Sequence, residues 1–337
     1  MSSNESGPSA GQLLAATADL VTPMAVRVAA TLRLADLLTD GAVGVDELAE
    51  RSGSHVDALG RLLRHLTCHG VFVEPSPGRF ALNETADLLR SDHPSGMRMW
   101  FDLDGFGGRM DLVFTELLHT VRTGQPAWET AFGAPFWEHL NADPALAGSF
   151  DATMAGSSRT TAATSYDWSG VRHVFDVGGG TGALLAEILE ANPDIRATLV
   201  DLPDTVARGR RLLADRGLAE RCDFAGQSFF DPLPAGGDAY LLSAVLHDWD
   251  DESAIAILRR CAEAAGETGR VVIVESHGSA GNDPGAFAEM DLRMLVLSGG
   301  RERDVEDFAR LTAAAGLATV DVRRPPSGLL IIDCRPA

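Results

Sequence analysis

The apolar residues follow two spacings along the chain, helical in the N-terminal part and strand-then-helix in the remainder. Residues 13–38 place apolar side chains nearly all round a predicted helix, which is typical of a helix buried in a core or against a second subunit. Residues 45–52 and 56–70 predict two further helices, and a β-hairpin follows around residues 75–78. Helices followed by a β-hairpin are the sequence of elements found in a winged helix.

From residue 167 onward, short apolar runs alternate with segments of helical spacing. The predicted strands are 173–177, 197–202, 222–226, 238–243, 270–275, 317–323 and 328–334. The predicted helices are 183–191, 204–216, 252–265 and 304–315. This alternation predicts a doubly wound, Rossmann-like α/β sheet with an antiparallel ending.

These patterns predict four segments. We expect a disordered tail at residues 1–11, a winged-helix domain at 12–96, a helical linker at 97–165 and the sheet domain at 166–337. The linker is rich in large aromatic side chains, such as Trp100 and Phe150. Such a cluster can line a pocket for a flat apolar substrate, and ordinary core packing explains it equally well.

A glycine-rich turn follows the first strand of the sheet domain. Asp176 lies near the end of that strand, and Gly178, Gly180 and Gly182 allow a turn that residues with a Cβ cannot make. Strand, turn and helix predict the first βα unit of a nucleotide-binding sheet. Asp201 lies near the end of the second predicted strand, where an acid can accept hydrogen bonds from a ribose diol.

The glycine pattern leaves the cofactor class open. Counted from Gly178 it satisfies the dinucleotide pattern G-x-G-x-x-A. Counted from the acid before it, it is D-x-G-x-G-x-G, which resembles the first motif of S-adenosylmethionine (SAM) methyltransferases. An ordinary glycine turn is a third reading.

Composition narrows the classes of partner. The chain has 337 residues, a net charge of −20 and no Lys, which disfavours a polyanion such as DNA. We therefore interpret the winged helix as a dimerisation module, with a DNA-binding regulator as the alternative. No apolar run of membrane-spanning length is expected, so we predict a cytoplasmic protein without a membrane partner. The scattered cysteines predict no metal site.

His247 is the strongest catalytic candidate because it comes directly after the fourth strand, whose carboxyl end opens onto the ligand crevice. The acids around it leave two other readings, a helix-start histidine and a metal ligand. Glu275 ends the next strand, and Glu302 follows a Gly-Gly pair. A carboxylate beside His247 would hold its ring and favour its protonated form. Glu302 could equally be a solvent-facing acid between two arginines.

Several motifs, in order along the chain, resemble one family. They are D-V-G-G-G-T-G, V-D-L-P, F-F-D-P-L-P, L-S-A-V-L-H-D-W-D-D, V-V-I-V-E, M-D-L-R-M-L and G-G-R-E-R-D. This set resembles the SAM-dependent O-methyltransferases of the plant caffeate and flavonoid type and their bacterial relatives that decorate aromatic polyketides, the naphthoate and anthracycline enzymes among them. The resemblance extends from about residue 13 to the end of the chain.

The resemblance implies a class I methyltransferase sheet behind an N-terminal helical dimerisation domain, with SAM as cofactor and a homodimer as assembly. It implies that His247 is the general base, flanked by Glu275 and Glu302. The implied cofactor-binding residues are Asp176, Gly178, Gly180, Gly182, Asp201, Leu202, Ser228, Phe229, Ser243 and Met154. The implied substrate-binding residues are Phe150, Trp100, Asp248, Met290 and Met294. Ser228 stands where many relatives have an Asp.

We therefore expect methyl transfer from SAM to a phenolic hydroxyl of an aromatic small molecule in antibiotic biosynthesis. Three alternatives remain at this stage. They are a nicotinamide-dependent oxidoreductase on the same sheet, a SAM-fold protein with another reaction, and an acidic winged-helix sensor of a metabolite.

Overall fold

The structure is a computed structural model that describes residues 9–155, 164–276, 284–326 and 328–337. The chain divides into two compact units, the first made of Met1–Leu112 and Ala145–Gly156 and the second of Val113–Pro144 and Ser157–Ala337. Of the expected disordered tail, residues 1–8 lie outside the described residues, whereas Ala10 and Gly11 belong to a helix. The expected boundaries at residues 96 and 165 stay predictions.

The first unit is helical with a small sheet. Its helices lie at Ala10–Thr17, Val21–Thr31, Val45–Ser52, Val56–Cys68, Glu84–Asp87, Met97–Phe101, Phe106–Leu112 and Pro144–Ala155. Strands β1 (Val43–Gly44), β2 (Val73–Ser76) and β3 (Arg79–Ala81) form an antiparallel sheet in the order β1-β3-β2. The β2–β3 pair is the expected hairpin, and the winged-helix prediction is confirmed. Apolar faces of the helices pack into one core around Leu63 and Phe72.

The N-terminal apolar segment differs from the single helix expected over 13–38. Two helices form, because the Asp19 carboxylate accepts hydrogen bonds from the backbone N–H groups of Val21 and Thr22, which starts a new helix there. The segment Ala10–Thr31 is nevertheless long and apolar enough to cross a membrane by length and composition, since its most apolar stretch of 18 residues has a mean hydropathy of 1.4. The expectation of no such stretch is wrong, since only two charged residues interrupt it. Helices of soluble proteins pass the same test.

The second unit contains a seven-stranded sheet. Its strands are β4 (His173–Val177), β5 (Arg196–Asp201), β6 (Cys222–Gly226), β7 (Ala239–Ser243), β8 (Arg270–Ser276), β9 (Leu317–Arg323) and β10 (Leu329–Pro336). Their order is β6-β5-β4-β7-β8-β10-β9, parallel from β6 to β8, with β10 antiparallel to both of its neighbours. The predicted doubly wound sheet with an antiparallel ending is confirmed.

Four helices of the second unit pack against the sheet, at Ala183–Ala191, Pro203–Asp215, Asp251–Ala265 and Val305–Ala314. The other helices of this unit lie at Leu117–Thr123, Trp128–Phe132, Phe136–Ala142 and Pro284–Ser298, and the first three of these pack against the fourth. The helix Pro284–Ser298 is absent from the predicted alternation. Two cores form from alternate side chains of the strands, because successive residues of a strand point to opposite faces.

The order of the strands in the sheet predicts where the ligand crevice lies. β4 pairs with β5 on one side and with β7 on the other. The chain order along the sheet therefore reverses at β4, and in open α/β sheets ligands bind beyond the carboxyl ends of the strands at that point. The residues that follow β4, β5, β7 and β8 are the ones this fold brings together.

Candidate active site

The loop after β4 approaches neighbouring chain segments closely. Gly178, Gly180 and Gly182 all have positive φ angles between 59° and 75°. At Gly179 a Cβ would lie 2.3 Å from Oδ2 of Asp176, so the loop can lie on that carboxyl group only because this residue is glycine. A Cβ at Gly180 would meet no atom within 4 Å, so the loop is open to a ligand at that residue.

Asp176 is buried beneath this loop. Neither of its carboxyl oxygens has a hydrogen-bond partner among the described residues. Burial, helped by the negative charge of Asp201, raises the pKa of Asp176 to about 7. A buried carboxyl group without a partner is costly in its charged form, and the raised pKa is the consequence.

Asp201 ends β5 and faces the same loop. Its Oδ2 accepts a hydrogen bond of 2.9 Å from the N–H of Gly180, and its Oδ1 accepts one of 2.7 Å from the N–H of Leu202. These bonds fix the carboxylate beside the glycines. A carboxylate oxygen has further lone pairs, so Asp201 can still accept hydrogen bonds from a diol.

The turn after β7 carries His247 and begins with a strained residue. Ala244 has a φ of 53°, which is unusual for a residue with a Cβ. The turn is held from one side by Glu275, whose Oε1 accepts hydrogen bonds from the N–H groups of Val245 (3.2 Å) and Leu246 (2.9 Å). The side chain of Val245 also lies against Gly178, 2.8 Å from where a Cβ would be. The glycine loop and the His247 turn are thus in direct contact.

The His247 imidazole lies among three carboxylates and is buried. Its Nδ1 is 3.1 Å from Oε1 of Glu302 and 3.4 Å from Oε2 of Glu275, while Nε2 is 3.6 Å from Oδ1 of Asp248. Burial alone would lower the pKa of His247, but the charges of Glu275, Asp248 and Glu302 outweigh it and raise the pKa to about 9. Nδ1 is thus held by Glu302, and Nε2, on the side of Asp248, is the other ring nitrogen that can exchange a proton.

The segment from Gly300 to Arg303 runs along the other side of the His247 turn. A Cβ on Gly300 would lie 2.1 Å from the carbonyl oxygen of His247, and the N–H of Arg301 donates to that oxygen at 2.8 Å. Glu302 donates its own N–H to Asp291 at 2.9 Å. Glu302 is buried, which excludes the reading of a solvent-facing acid.

The aromatic candidate Phe229 lies next to the glycine loop. Its ring would be 3.3 Å from a Cβ on Gly178, and it meets the Trp249 ring edge-on at 5.8 Å between centroids. The Ser228 hydroxyl accepts the N–H of Phe230 at 3.2 Å and so shapes the turn before it. Ser243 is the last residue of β7 and is half-buried.

The remaining candidates lie further along the chain or in the other unit. Met294 is buried in the helix Pro284–Ser298, and Met290 lies one turn before it, half-buried. Trp100, Phe150 and Met154 belong to the first unit, where the Phe150 ring meets Phe106 edge-on at 4.9 Å. Within the second unit, the structure brings together the candidates that follow β4, β5, β7 and β8.

Two residues that shape the site are absent from the sequence candidates. Gly300 is required for the close approach to His247, and a Gly-Gly pair before a predicted catalytic acid is a signal for such an approach. Arg303 is buried and bonds to the His247 turn, and no spacing rule distinguishes it from the exposed Arg301.

Comparison with known proteins identifies the family of both parts of the chain. Residues 114–318 match the model of the O-methyltransferase domain, and residues 15–92 match that of the O-methyltransferase dimerisation domain. The 2,7-dihydroxy-5-methyl-1-naphthoate 7-O-methyltransferase of Streptomyces carzinostaticus is 48% identical over 323 residues, covering 95% of this chain and 96% of the relative.

A second relative carries a different name. The aclacinomycin 10-hydroxylase RdmB of Streptomyces purpurascens is 45% identical over 328 residues, covering 95% of this chain and 88% of the relative. Among solved structures, the O-methyltransferase NcsB1 from neocarzinostatin biosynthesis, in complex with SAM and 2-hydroxy-5-methyl naphthoic acid, is similar with a TM-score of 0.91 and 46% identity. That match covers 99% of this chain and 100% of the other.

The charge environment of His247 can be tested directly. Glu302→Gln removes one of the three carboxylates and should lower the pKa of His247 by about one unit, because a nearby negative charge favours the imidazolium. An NMR pH titration of the His247 ring signals measures the pKa. Glu306→Gln, an exposed position on the following helix, is the matched control. An unchanged His247 pKa in Glu302→Gln would contradict the assigned contact.

Proposed function

The chain belongs to the O-methyltransferase family, and on that premise we propose that it transfers a methyl group from SAM to a phenolic hydroxyl of an aromatic natural-product intermediate. The observation that carries the proposal is His247, held through Nδ1 by Glu302 at 3.1 Å and placed at the carboxyl end of β7 beside the glycine loop. The similar naphthoate 7-O-methyltransferase and the naphthoic acid complex of NcsB1 support an aromatic acceptor of naphthoate type.

Family membership alone does not fix the reaction, since RdmB is named a hydroxylase at 45% identity. The complete set of His247, Glu275 and Glu302 favours methyl transfer, because this reaction needs a base next to the acceptor oxygen. Hydroxylation of the acceptor is the competing outcome that the assay of the reaction product has to exclude.

The residues around the glycine loop fit SAM. The loop is open at Gly180, where a Cβ would meet no atom within 4 Å, and the two oxygens of Asp176 have no partner among the described residues. Asp201 would accept hydrogen bonds from the ribose hydroxyls, and Phe229 would pack against the adenine. When bound, SAM supplies an electrophilic methyl group on a sulfonium. The family also decides against the nicotinamide cofactor that the glycine pattern alone allowed.

His247 would take the proton from the acceptor hydroxyl through Nε2. A phenol with a pKa of about 10 gives up its proton to an ordinary histidine at a cost of about 5 kcal/mol. With the pKa of His247 at about 9, the same transfer costs only about 1.4 kcal/mol. The carboxylates thus strengthen the base, and they also keep it mainly protonated at neutral pH. A bound cation next to the ring would shift it back towards the neutral form.

Removal of the imidazole should abolish most of the turnover. His247→Ala is expected to lower kcat by about 10²- to 10⁴-fold while the dissociation constant of SAM stays nearly unchanged. Turnover is measured by mass shift with SAM and a panel of hydroxylated naphthoates and anthraquinones, and affinity by isothermal titration. His173→Ala is the control, since His173 begins β4 at the opposite end of the strand and bonds to Thr198.

The pH profile provides a second readout for the same variant. The free enzyme needs neutral His247, so kcat/KM of the wild type should rise with pH and level off at about pH 9. The residual activity of His247→Ala should lack this rise. An undiminished kcat, or a product that has gained oxygen instead of a methyl group, would refute the proposed function.

Asp201 is expected to contribute to cofactor affinity. Asp201→Ala removes the acceptor of a ribose diol and frees the loop N–H of Gly180, and should raise the dissociation constant of SAM by about 10- to 100-fold. Asp204→Ala, an exposed acid on the helix that follows β5, should leave it unchanged. Isothermal titration with SAM and, separately, with NADPH measures both variants. Equal affinity for SAM in Asp201→Ala and wild type would refute the assigned contact.

We further propose a cytoplasmic homodimer in which the N-terminal apolar segment lies between subunits. The dimerisation-domain model covers residues 15–92 and so includes most of Ala10–Thr31. In the isolated chain Leu14, Leu20 and Val21 are at least 64% exposed. Exposed apolar residues of this density mark an interface, and the family model favours a second subunit over a membrane.

The interface can be tested by placing charge in the segment. Leu14→Glu combined with Leu20→Glu should shift the protein from dimer to monomer at micromolar concentration, because burying two carboxylates opposes association. Light scattering after size exclusion measures the mass. Val320→Glu, at an exposed apolar position on the edge strand β9, is the control and should stay dimeric. A dimer that persists in the double variant would exclude this segment as the interface.

A further inference from the structure

The backbone of the His247 turn is held from two sides by buried, oppositely charged side chains. Glu275 accepts the N–H groups of Val245 and Leu246 on one side. On the other side the guanidinium of Arg303 donates to the carbonyl oxygen of Leu246 at 2.6 Å and to that of Trp249 at 2.7 Å. The two arginine bonds therefore span the turn, with His247 between them.

Arg303 is oriented for this contact by Asp251. Its Nε and Nη2 lie 3.0 and 2.8 Å from Oδ1 of Asp251, which begins the helix after the turn. The Arg303 side chain is only 1% exposed, whereas that of Asp251 is 54% exposed. A buried guanidinium requires all its partners, so its position is fixed by the two carbonyls and the carboxylate together.

We propose that Arg303 is a positioning residue for the methyl transfer, holding both ends of the turn so that the His247 ring stays against Glu302 and Nε2 stays directed to the acceptor. This role rests on the proposed function, in which His247 is the base. In this role Arg303 contacts the backbone of the turn, and it contacts neither the His247 imidazole nor the substrate.

Three observations indicate that the His247 turn has to be stabilised by contacts from elsewhere in the chain. Ala244 is in a left-handed conformation that its Cβ disfavours, so the turn does not form by local preference. A Cβ at Gly300 would strike the His247 carbonyl, so the segment that carries Glu302 lies directly against the turn. Glu302 and Arg303 are adjacent residues, and any movement of the turn away from Arg303 also separates His247 from Glu302.

Lysine is the substitution that separates position from charge. A lysine at 303 keeps the positive charge but presents a single ammonium group, which cannot bridge two carbonyls and a carboxylate as the planar fork of arginine does. The charged groups facing His247 are Glu275 on β8, Glu302 on the adjoining segment and Asp248 on the turn itself. All three remain in Arg303→Lys, so a change in His247 titration would report a change in distance.

The experiment compares Arg303→Lys with Arg310→Lys, an exposed arginine on the following helix that pairs with Asp307. Arg303→Lys should lower kcat by about 10- to 100-fold, with the KM of the acceptor and the dissociation constant of SAM within about 2-fold of wild type. The pKa of His247, measured by NMR without substrate, should fall by about half a unit or more, and the acidic limb of kcat/KM should move with it. Arg310→Lys should match the wild type in each measurement.

Asp251→Asn tests the same contact with less risk of misfolding, because Asp251 is exposed whereas Arg303 is buried. The substitution weakens the ion pair that orients Arg303. It should give a smaller change in the same direction, about 3- to 10-fold in kcat. The stoichiometry of SAM binding reports the folded fraction in every sample. A loss of kcat that only follows this fraction, with an unmoved His247 titration, would overturn the proposal.

Failure of the proposed function gives a different result from failure of this inference. If the wild type and Arg310→Lys do not methylate any acceptor, the proposed function fails. If both are active and Arg303→Lys equals them in kcat and in His247 titration, only the positioning role is refuted.

Discussion

The site depends on one interaction, the acceptance of two backbone N–H groups by the buried carboxylate of Glu275. These two hydrogen bonds fix the direction in which the chain leaves β7 after Ala244, which has a left-handed backbone conformation. It also places a negative charge 3.4 Å from Nδ1 of His247. A single side chain therefore holds the turn and raises the basicity of the histidine that the turn carries, since a fixed nearby carboxylate stabilises the imidazolium.

The same carboxylates have two opposed effects on His247, since they make it a stronger base and also keep it protonated at neutral pH. A histidine with a pKa of about 9 is a strong base but is mostly protonated at neutral pH. Burial works in the opposite direction, and so would the positive charge of a bound sulfonium. Asp176 shows the complementary case, because its buried carboxyl group has a pKa of about 7 and no partner among the described residues. A cationic ligand would therefore shift His247 towards its neutral form and Asp176 towards its ionised form.

Much of the second unit was predictable because its signals are local. The strand, glycine turn and helix around Asp176 follow from residues that are close in the chain, and the observed bounds of β4 match the predicted ones. The positions of His247, Glu275 and Asp201 at the carboxyl ends of strands follow from the alternation of elements. The helix Pro284–Ser298 was missed, since its residues are apolar on more than one side and show little amphipathic periodicity.

By itself, the sequence determined the order of the elements, the class of fold and the set of polar residues at the crevice, because periodicity and turn chemistry act over a few residues. Only the tertiary structure decided that Arg303 is buried and its neighbour Arg301 exposed, and that Gly300 touches His247. His247 and Glu302 are 55 residues apart in the chain. A contact of that range forms when two loops pack beyond the carboxyl ends of the central strands, and no local pattern encodes which side chain will turn inward there.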